Sequence, residues 1–372
     1  MKKVVLVNQS TGYLMIDIVN AYAEEYDEVV LLAGSIKVTE RQLNEKVKVK
    51  RIVAYNRSSS IKRLLTWGFG SLQIFNRLLF NYRRHEVVYV TNPPMAYLSS
   101  LLLKNPFSII VYDTYPDALS NIGIKKTNWI YKKWTVWNVK LFAKAKRIVT
   151  LSDGMADRLT NYVDRSKIKV VPNWASKESF KPIDKKKNPF VKEYGLEDKF
   201  TVLYSGNMGF THNVETLVET ANHLKKNEKI HFMLVGDGKK KPELQAMAHS
   251  YGLNNCTFLD WQPADRLQFS LASADLAVIS LNDETARVSV PSKTYNLLAV
   301  GAPLLCIVPD DSELASIVSK YENGACFRPD QVEGIAAFIE NLAGHKEKRD
   351  LMASHSLAAS KNYTYANAKL YV

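Results

Sequence analysis

Short runs of Val, Ile and Leu alternate with longer stretches of helical period along the whole chain. A run of four to eight apolar, β-branched residues bounded by polar or Gly/Pro clusters reads as a buried strand, and apolar residues recurring every three or four positions read as one face of a helix. In the first half, strands are expected at residues 4–8, 28–33, 47–55, 87–91, 108–112, 147–151 and 169–171, with helical stretches between most of them. The second half repeats the pattern at 201–205, 230–235, 257–259, 276–280 and 304–308. Strands separated by helices imply parallel pairing, because a parallel neighbour needs a crossover connection. The pattern therefore predicts an α/β protein of two doubly wound, Rossmann-like domains. Between them, residues 172–189 are polar and carry Pro172, Pro182 and Pro189, which favours a linker with the boundary near residue 180. The aromatic, helix-compatible segment 363–372 is expected to pack back on the first domain. Ligands of such domains gather at the carboxyl ends of the strands, where helix N-termini present unpaired N–H groups, so function is sought in a cleft between two such edges.

The length of 372 residues fits two domains at about 150 residues each. A content of 46% hydrophobic and 23% charged residues without low-complexity tracts excludes disordered and fibrous classes. Cys256, Cys306 and Cys326 are odd in number and widely spaced, so neither a disulfide framework nor a zinc site is indicated and a reducing compartment fits. The first apolar run is too short for a signal peptide, and no window reaches the roughly 18 apolar residues of a membrane span. A cytoplasmic protein is expected. Its net charge of +13 is uneven: residues 1–184 hold 29 Lys and Arg against 15 Asp and Glu, residues 185–372 hold 21 against 22. Such asymmetry marks a surface that meets phosphates or anionic lipid.

Two stretches concentrate that charge. Residues 57–84, from Arg57 onward, contain six basic and no acidic residues among Ile61, Leu64, Leu65, Trp67, Phe69 and Leu72, and residues 118–152 contain eight basic and no acidic ones among Trp129, Tyr131, Trp134 and Trp137. Helices of this composition lie on anionic membranes, each Lys or Arg contributing roughly 1 kcal/mol near the surface; a core helix with a solvated basic face is the plainer alternative. Nucleic acid is disfavoured because no binding motif accompanies the charge.

Candidate chemistry lies mostly in the second half. Tyr204-Ser-Gly-Asn-Met-Gly209 leads from a strand through Gly206 and Gly209 toward a helix opened by Thr211 to Asn213, where a phosphate would meet backbone N–H groups. Pro291-Ser-Lys293 reads as the first turn of a helix ended by Gly301, placing the Ser292 hydroxyl and the Lys293 ammonium for a diphosphate. Val235-Gly-Asp-Gly238 is a weaker glycine signal, and neither the dinucleotide fingerprint nor the Walker pattern occurs. Asp113, at the end of an apolar strand, could orient a sugar hydroxyl or accept a proton. Scattered histidines and the absence of Asp-x-Asp give metal chemistry little support.

In register, Asp113-Thr-Tyr-Pro-Asp117, Leu151-Ser-Asp-Gly, Val171-Pro-Asn-Trp174, the Gly206 and Gly236 loops and Pro291-Ser-Lys…Gly301-Ala-Pro303 resemble the family-4 retaining glycosyltransferases of GT-B fold, in particular the bacterial subgroup that builds capsule, O-antigen or colanic-acid-type polysaccharide. The resemblance implies that residues 1–180 form a membrane-associated acceptor-binding domain on the cytoplasmic face of the inner membrane. Residues 181–362 would hold a nucleotide-sugar donor, with uridine the favoured base. It implies that Gly206, Asn207 and Gly209 receive the distal phosphate and sugar. Ser292 and Lys293 would bind the diphosphate, and residues 258–263 would approach base and ribose. Asp113 stands where many relatives have histidine. The basic pair after the glycine loop is replaced by Asn207 and His212, leaving Lys293 and Arg287 as the main cations. The E-x7-E glutamates fall on Val288 and Asn296, so Asp283 or Glu284 is expected to take over sugar contacts, with Gly236 completing the donor site.

The expected activity is metal-independent, retaining transfer of a hexose from a nucleoside-diphosphate sugar to a polyprenyl-diphosphate-linked or oligosaccharide acceptor, without cofactor and without nucleic acid. A sugar-nucleotide 2-epimerase of the same fold and a silent membrane-bound scaffold are the alternatives.

Overall fold

Buried, mostly aliphatic strands form the centres of the two large sheets. The computed structural model describes residues 1–56, 58–122, 125–287 and 290–372, so Arg57 and Val288 lie outside the described residues. It divides the chain into two units, 1–176 with 365–372, and 177–364.

In the first unit, β1 (Lys3–Val7), β2 (Glu28–Ala33), β3 (Val47–Arg51), β4 (Glu86–Val90), β5 (Phe107–Val111), β6 (Ile148–Thr150) and β7 (Ile168–Val170) form a sheet in the order β3-β2-β1-β4-β5-β6-β7. Every adjacent pair is parallel. The central strands are continuous apolar runs because helices cover both faces. The expected strand 47–55 is corrected at its end: β3 stops at Arg51, because Val53 N–H donates to Gln73 Oε1 (2.8 Å) and the Val53 carbonyl accepts from Gln9 Nε2 (3.0 Å) instead of continuing the ladder. The same Gln9 amide reaches the Thr66 carbonyl (2.8 Å), fastening helix Ser60–Phe80 to the loop after β1.

The terminal segment Tyr365–Tyr371 is a 3-10 turn packed on helix Tyr13–Glu25, held by Tyr22 Oη donating to the Tyr371 carbonyl (2.8 Å). Beside it a buried carboxylate is fully engaged. Arg41 binds Asp17 through two nitrogens (2.6 and 2.7 Å), and Trp174 Nε1 donates to Asp17 Oδ2 (2.7 Å). Trp174 is fully buried, so the Val171-Pro-Asn-Trp174 motif serves packing in this structure.

The second unit contains β8 (Phe200–Ser205), β9 (Ile230–Val235), β10 (Cys256–Leu259), β11 (Leu276–Ser280), β12 (Leu304–Ile307) and β13 (Gly324–Phe327), ordered β10-β9-β8-β11-β12-β13 and parallel throughout. Both sheets switch direction beside a central strand, the arrangement that exposes strand ends and loops for ligands. Strand β13 is absent from the sequence expectation. Its four residues, Gly-Ala-Cys-Phe, are half-buried and include no β-branched side chain, and a Cβ on Gly324 would stand 1.9 Å from the Leu304 carbonyl oxygen. Among the described residues, no helix is long and apolar enough to cross a membrane.

Replacing Arg41 with Met leaves Asp17 with the indole N–H but no counter-charge. Breaking such a buried pair typically costs about 3 kcal/mol. Denaturant unfolding is expected to show a loss of that order with an unchanged m-value; a loss below about 0.5 kcal/mol would assign the pair no structural weight.

Candidate active site

Beyond the carboxyl ends of β8 and β9 the ladder continues into loops. Ser205 lies opposite Val235 in register. Gly206 N–H then donates to the Val235 carbonyl (2.9 Å), Met208 N–H to Asp237 (2.8 Å) and Lys240 N–H to Met208 (3.0 Å). Two sequence-distant glycine loops are thereby laid against each other. The contact admits no side chain: a Cβ on Gly236 would lie 2.0 Å from the Gly206 oxygen and one on Gly238 2.4 Å from the Met208 oxygen, at φ of +138° and +155°. Only glycine satisfies both the dihedral and the approach. Tyr204 Oη donates to the Asn207 carbonyl (2.7 Å) and fixes the first loop from below.

Helix Lys293–Ala299 begins directly after the exposed Ser292, whose hydroxyl caps nothing. Its first residue reaches the two loops. Lys293 Nζ is buried without a hydrogen-bond partner, lies 4.1 Å above the Tyr204 ring, and comes within 2.7 Å of the position a Cβ on Gly206 would take. Burial lowers its pKa to about 7, with nearby Cys306 acting weakly in the opposite direction. The Tyr204 ring face gives partial compensation through its quadrupole. An ammonium held this way is an incomplete ion pair, and an anion entering at Gly206 would complete it.

The neighbouring cations are already engaged. Lys240 Nζ binds the His212 carbonyl (2.8 Å) and pairs with Glu215, while Lys241 Nζ binds the Gly236 carbonyl (2.9 Å) and Asp260 (2.5 Å). His212 is lowered to about 4 by burial, then by Lys293 and Lys240, so its ring is neutral at pH 7; its Nδ1 lies 3.0 Å from Thr211 Oγ1.

The structure thus brings Gly206 to the unpaired Lys293 Nζ, sets Gly236 against Gly206 and leaves His212 within electrostatic reach of Lys293, while Asn207 and Gly209 share the loop that Gly206 opens. Other anticipated residues have different company. Arg287 is exposed and paired with Asp311 (2.8 Å), Asp283 is paired with Arg328 (3.0 Å), and Glu284 is exposed on the short helix Asp283–Ala286. The helix expected to open at Thr211 to Asn213 is corrected to Glu215–His223: Asn282 N–H takes the Thr211 carbonyl (2.8 Å) and Asn213 N–H donates to Ser280 Oγ (3.0 Å), holding this stretch as a turn beside β11. In the segment 258–263, Trp261 is 55% exposed. Asp113 belongs to the other unit, where it follows β5 with a solvent-accessible side chain. The Thr91 hydroxyl accepts from the N–H groups of Tyr112 (3.0 Å) and Asp113 (3.1 Å), and burial of its surroundings raises the Asp113 carboxyl. Sequence reasoning missed Tyr204. The signal was available, since residues 204 and 206 share a face of an extended strand.

Two family models match the chain: "Glycosyltransferase Family 4" over residues 12–178 and "Glycosyl transferases group 1" over residues 186–356. The chain belongs to the family 4 glycosyltransferases of GT-B fold. Among curated proteins, this glycosyltransferase is 26% identical over 297 residues to the "Probable glycosyltransferase WbjE" of Pseudomonas aeruginosa, covering 76% of this chain and 74% of that one. It is also 26% identical over 294 residues, covering 76% and 72%, to WcaI of Escherichia coli K12, provisionally named a colanic acid biosynthesis glycosyl transferase. Among solved structures, HepE of Anabaena in complex with UDP superposes with a TM-score of 0.73 at 16% identity, covering 100% of this chain and 98% of that one. Sucrose-phosphate synthase of Thermosynechococcus elongatus gives 0.73 at 12% identity, covering 100% and 97%. At these identities the superpositions speak for the fold.

Lys293 also sets a pH dependence for this glycosyltransferase. Its folded pKa of about 7 lies below the ordinary lysine value of 10.5. Below pH 7 the folded chain bears the whole cost of a buried charge. Between about 7 and 10.5 the unfolded chain binds the extra proton, so stability rises with pH. Lys293→Met is expected to abolish that rise and to stabilise the unliganded protein most below pH 7, as read by denaturant unfolding at pH 6, 8 and 10. Parallel stability curves for the two proteins would contradict the assignment.

Proposed function

We propose that the protein transfers a hexose, with retention and without metal, from a UDP-sugar to a lipid-linked or oligosaccharide acceptor in the synthesis of bacterial surface polysaccharide. The observation that carries this reading is the unpaired Lys293 ammonium facing the two interlocked glycine loops. A diphosphate is opposite to it in charge, and the glycines leave backbone close enough to touch the donor. The developing negative charge of the leaving nucleoside diphosphate is stabilised by Lys293 and local backbone N–H groups, and front-face attack by the acceptor hydroxyl gives retention. Gly206, Asn207 and Gly209 receive the distal phosphate and sugar, the Ser292 hydroxyl adds a contact to the diphosphate, and Asp113 orients the acceptor. Arg287, Asp283 and Glu284 reach the donor only by exchanging their present surroundings. The UDP in the HepE structure supports uridine as the base, and the WbjE and WcaI names support the polysaccharide context.

Side chains of the first unit support the further reading that the protein attaches to the anionic cytoplasmic face of a membrane. Helix Ser60–Phe80 leaves Ile61 72% and Phe69 61% exposed beside Lys62 and Arg63, and helix Trp129–Lys144 leaves Trp129 65% exposed beside Lys132 and Lys133. Both helices pack on the turn Ala96–Leu101, whose end bears the exposed Leu101 and Leu102. Apolar and aromatic side chains interleaved with cations suit insertion at headgroup level.

Thermal unfolding with UDP, GDP, TDP and CMP in EDTA tests the donor site. A ligand at 100 times its dissociation constant adds about 2.7 kcal/mol, and UDP is expected to stand out. No stabilisation by any of them would sink the donor assignment. For catalysis, Lys293→Ala is expected to lower kcat/KM at least about a hundredfold, near 3 kcal/mol, in protein with an unchanged circular dichroism spectrum. For the membrane, vesicles containing anionic lipid are expected to sediment the wild type, and the triple change of Ile61, Leu65 and Phe69 to Ser to leave it in solution. Equal sedimentation of the two would remove this face from the membrane contact.

A further inference from the structure

Strands β12 and β13 are parallel neighbours with Cys306 directly opposite Cys326. Side chains alternate across a strand. Leu305 and Ile307 belong to the hydrophobic core and Phe327 packs against it, so Cys306 and Cys326 both turn to the other face of the sheet. Two cysteines that are widely spaced in sequence are thus neighbours in space. The third, Cys256, stands on β10 at the far edge of the sheet and packs against the core. Adjacent strands run about 4.8 Å apart, and a disulfide accepts Cα atoms about 4.4–6.8 Å apart. The pairing of β12 with β13 therefore holds the Cys306 and Cys326 backbones within bonding range of each other without rearrangement.

The two thiols differ in access and in chemistry. Cys306 is fully buried, whereas Cys326 is half-buried on β13, the last strand of the sheet, with no further strand beyond it. Their sulfurs are in hydrogen-bond contact, the Cys306 S–H donating to Cys326. That bond holds the Cys326 thiol below its ordinary value despite burial and the nearby Asp310, and it pushes Cys306 well above. The thiol that solvent reaches is thus also the one that ionises first, with a protonated thiol in contact behind it. An accessible thiolate beside a second thiol is the arrangement of an attacking and a resolving cysteine. Cys306 also lies close enough to Lys293 for each to act electrostatically on the other.

We infer that Cys306 and Cys326 are a reversible disulfide site, closed by a peroxide and opened by a dithiol, and that closing it weakens nucleoside-diphosphate binding at Lys293. The Cys326 thiolate attacks one peroxide oxygen, the O–O bond breaks, and a sulfenic acid forms as hydroxide leaves and takes a proton. The Cys306 sulfur then attacks the sulfenic sulfur; its proton and the sulfenic hydroxyl depart as water, and the S–S bond forms. Two thiols are oxidised and one peroxide is reduced to water. Disulfides of reducing compartments are mostly transient and redox-sensing, and this site needs no other reactant. Bond formation brings the sulfurs to about 2.05 Å, closer than any hydrogen-bonded contact. Cys306 has no free space around it, so its movement falls on close-packed neighbours and disturbs the setting of the Lys293 ammonium at Gly206. The effect on binding rests on the proposed donor site; the disulfide itself does not.

The test treats the folded protein with stoichiometric hydrogen peroxide, alkylates the remaining thiols under denaturing conditions and maps the peptides by mass. The wild type is expected to yield a linked Cys306–Cys326 peptide with Cys256 alkylated, and dithiothreitol to return all three thiols. Cys256→Ser should form the same link and Cys326→Ser none. Calorimetry with UDP then reads the consequence: the oxidised wild type is expected to bind several-fold more weakly than the reduced protein and to recover with dithiothreitol. In Cys326→Ser, peroxide should leave UDP affinity unchanged, and that affinity also shows that the variant is folded. Recovery of both cysteines alkylated, or oxygen added at Cys326 without a link, overturns the disulfide. Equal UDP affinity of linked and reduced wild type, or the same loss in peroxide-treated Cys326→Ser, overturns its coupling to Lys293. Failure of the reduced wild type to bind UDP overturns the donor reading instead, while the peptide map still decides the disulfide.

Discussion

An ammonium buried without an anion organises the second unit. Lys293 Nζ has a tyrosine ring on one side and glycine backbone on the other, and no carboxylate forms an ion pair with it. The surrounding sequence follows from making that arrangement possible. A side chain at residue 206 would have to displace the ammonium, whose Nζ lies 2.7 Å from where its Cβ would stand. Residues 236 and 238 must be glycine because the loop that carries Gly206 presses on them. Tyr204 must be aromatic to face the charge and hydroxylated to hold the Asn207 carbonyl.

The other lysines clarify the role by contrast. Lys240 and Lys241 stand equally near the loops, yet each is tied to backbone oxygens and to an acid. They brace the loops. Lys293 alone of the three is left to meet something from outside, and the neutral His212 beside it adds no competing charge at pH 7. An anion bound beside Lys293 restores its charge, so that the charge is in position when negative charge develops on the leaving group and little reorganisation is needed then.

Most of the fold could be read from the sequence because its strands are buried on both faces and therefore appear as unbroken apolar runs. The readings failed where tertiary contacts overrode the local pattern. The side chains of Gln9 and Gln73 end β3 early, and the close approach of Gly324 to Leu304 makes a strand of four unremarkable residues. At the site, the glycine loops and Pro291-Ser-Lys293 were legible as motifs. Their convergence was not, because register between β8 and β9 and the entry of helix Lys293–Ala299 bring together residues almost ninety positions apart. The engagement of Arg287 with Asp311 and of Asp283 with Arg328 was equally hidden, since each pairing joins separate elements. In the first unit, the basic helix showed its charge in sequence but not that Arg63 turns inward beside Trp67.

The central claim is that Lys293 is the group that meets the donor diphosphate, and proton uptake on binding tests it most directly. Calorimetry of UDP binding at pH 8 in buffers of different ionisation enthalpy counts the protons taken up. The unliganded lysine, lowered to about 7, is mostly neutral at that pH, and an anion beside it restores the charge. The account predicts uptake approaching about one proton at pH 8, falling toward zero below pH 6, and none at pH 8 in Lys293→Met. Binding without proton uptake at pH 8, or with the same uptake in Lys293→Met, would contradict it.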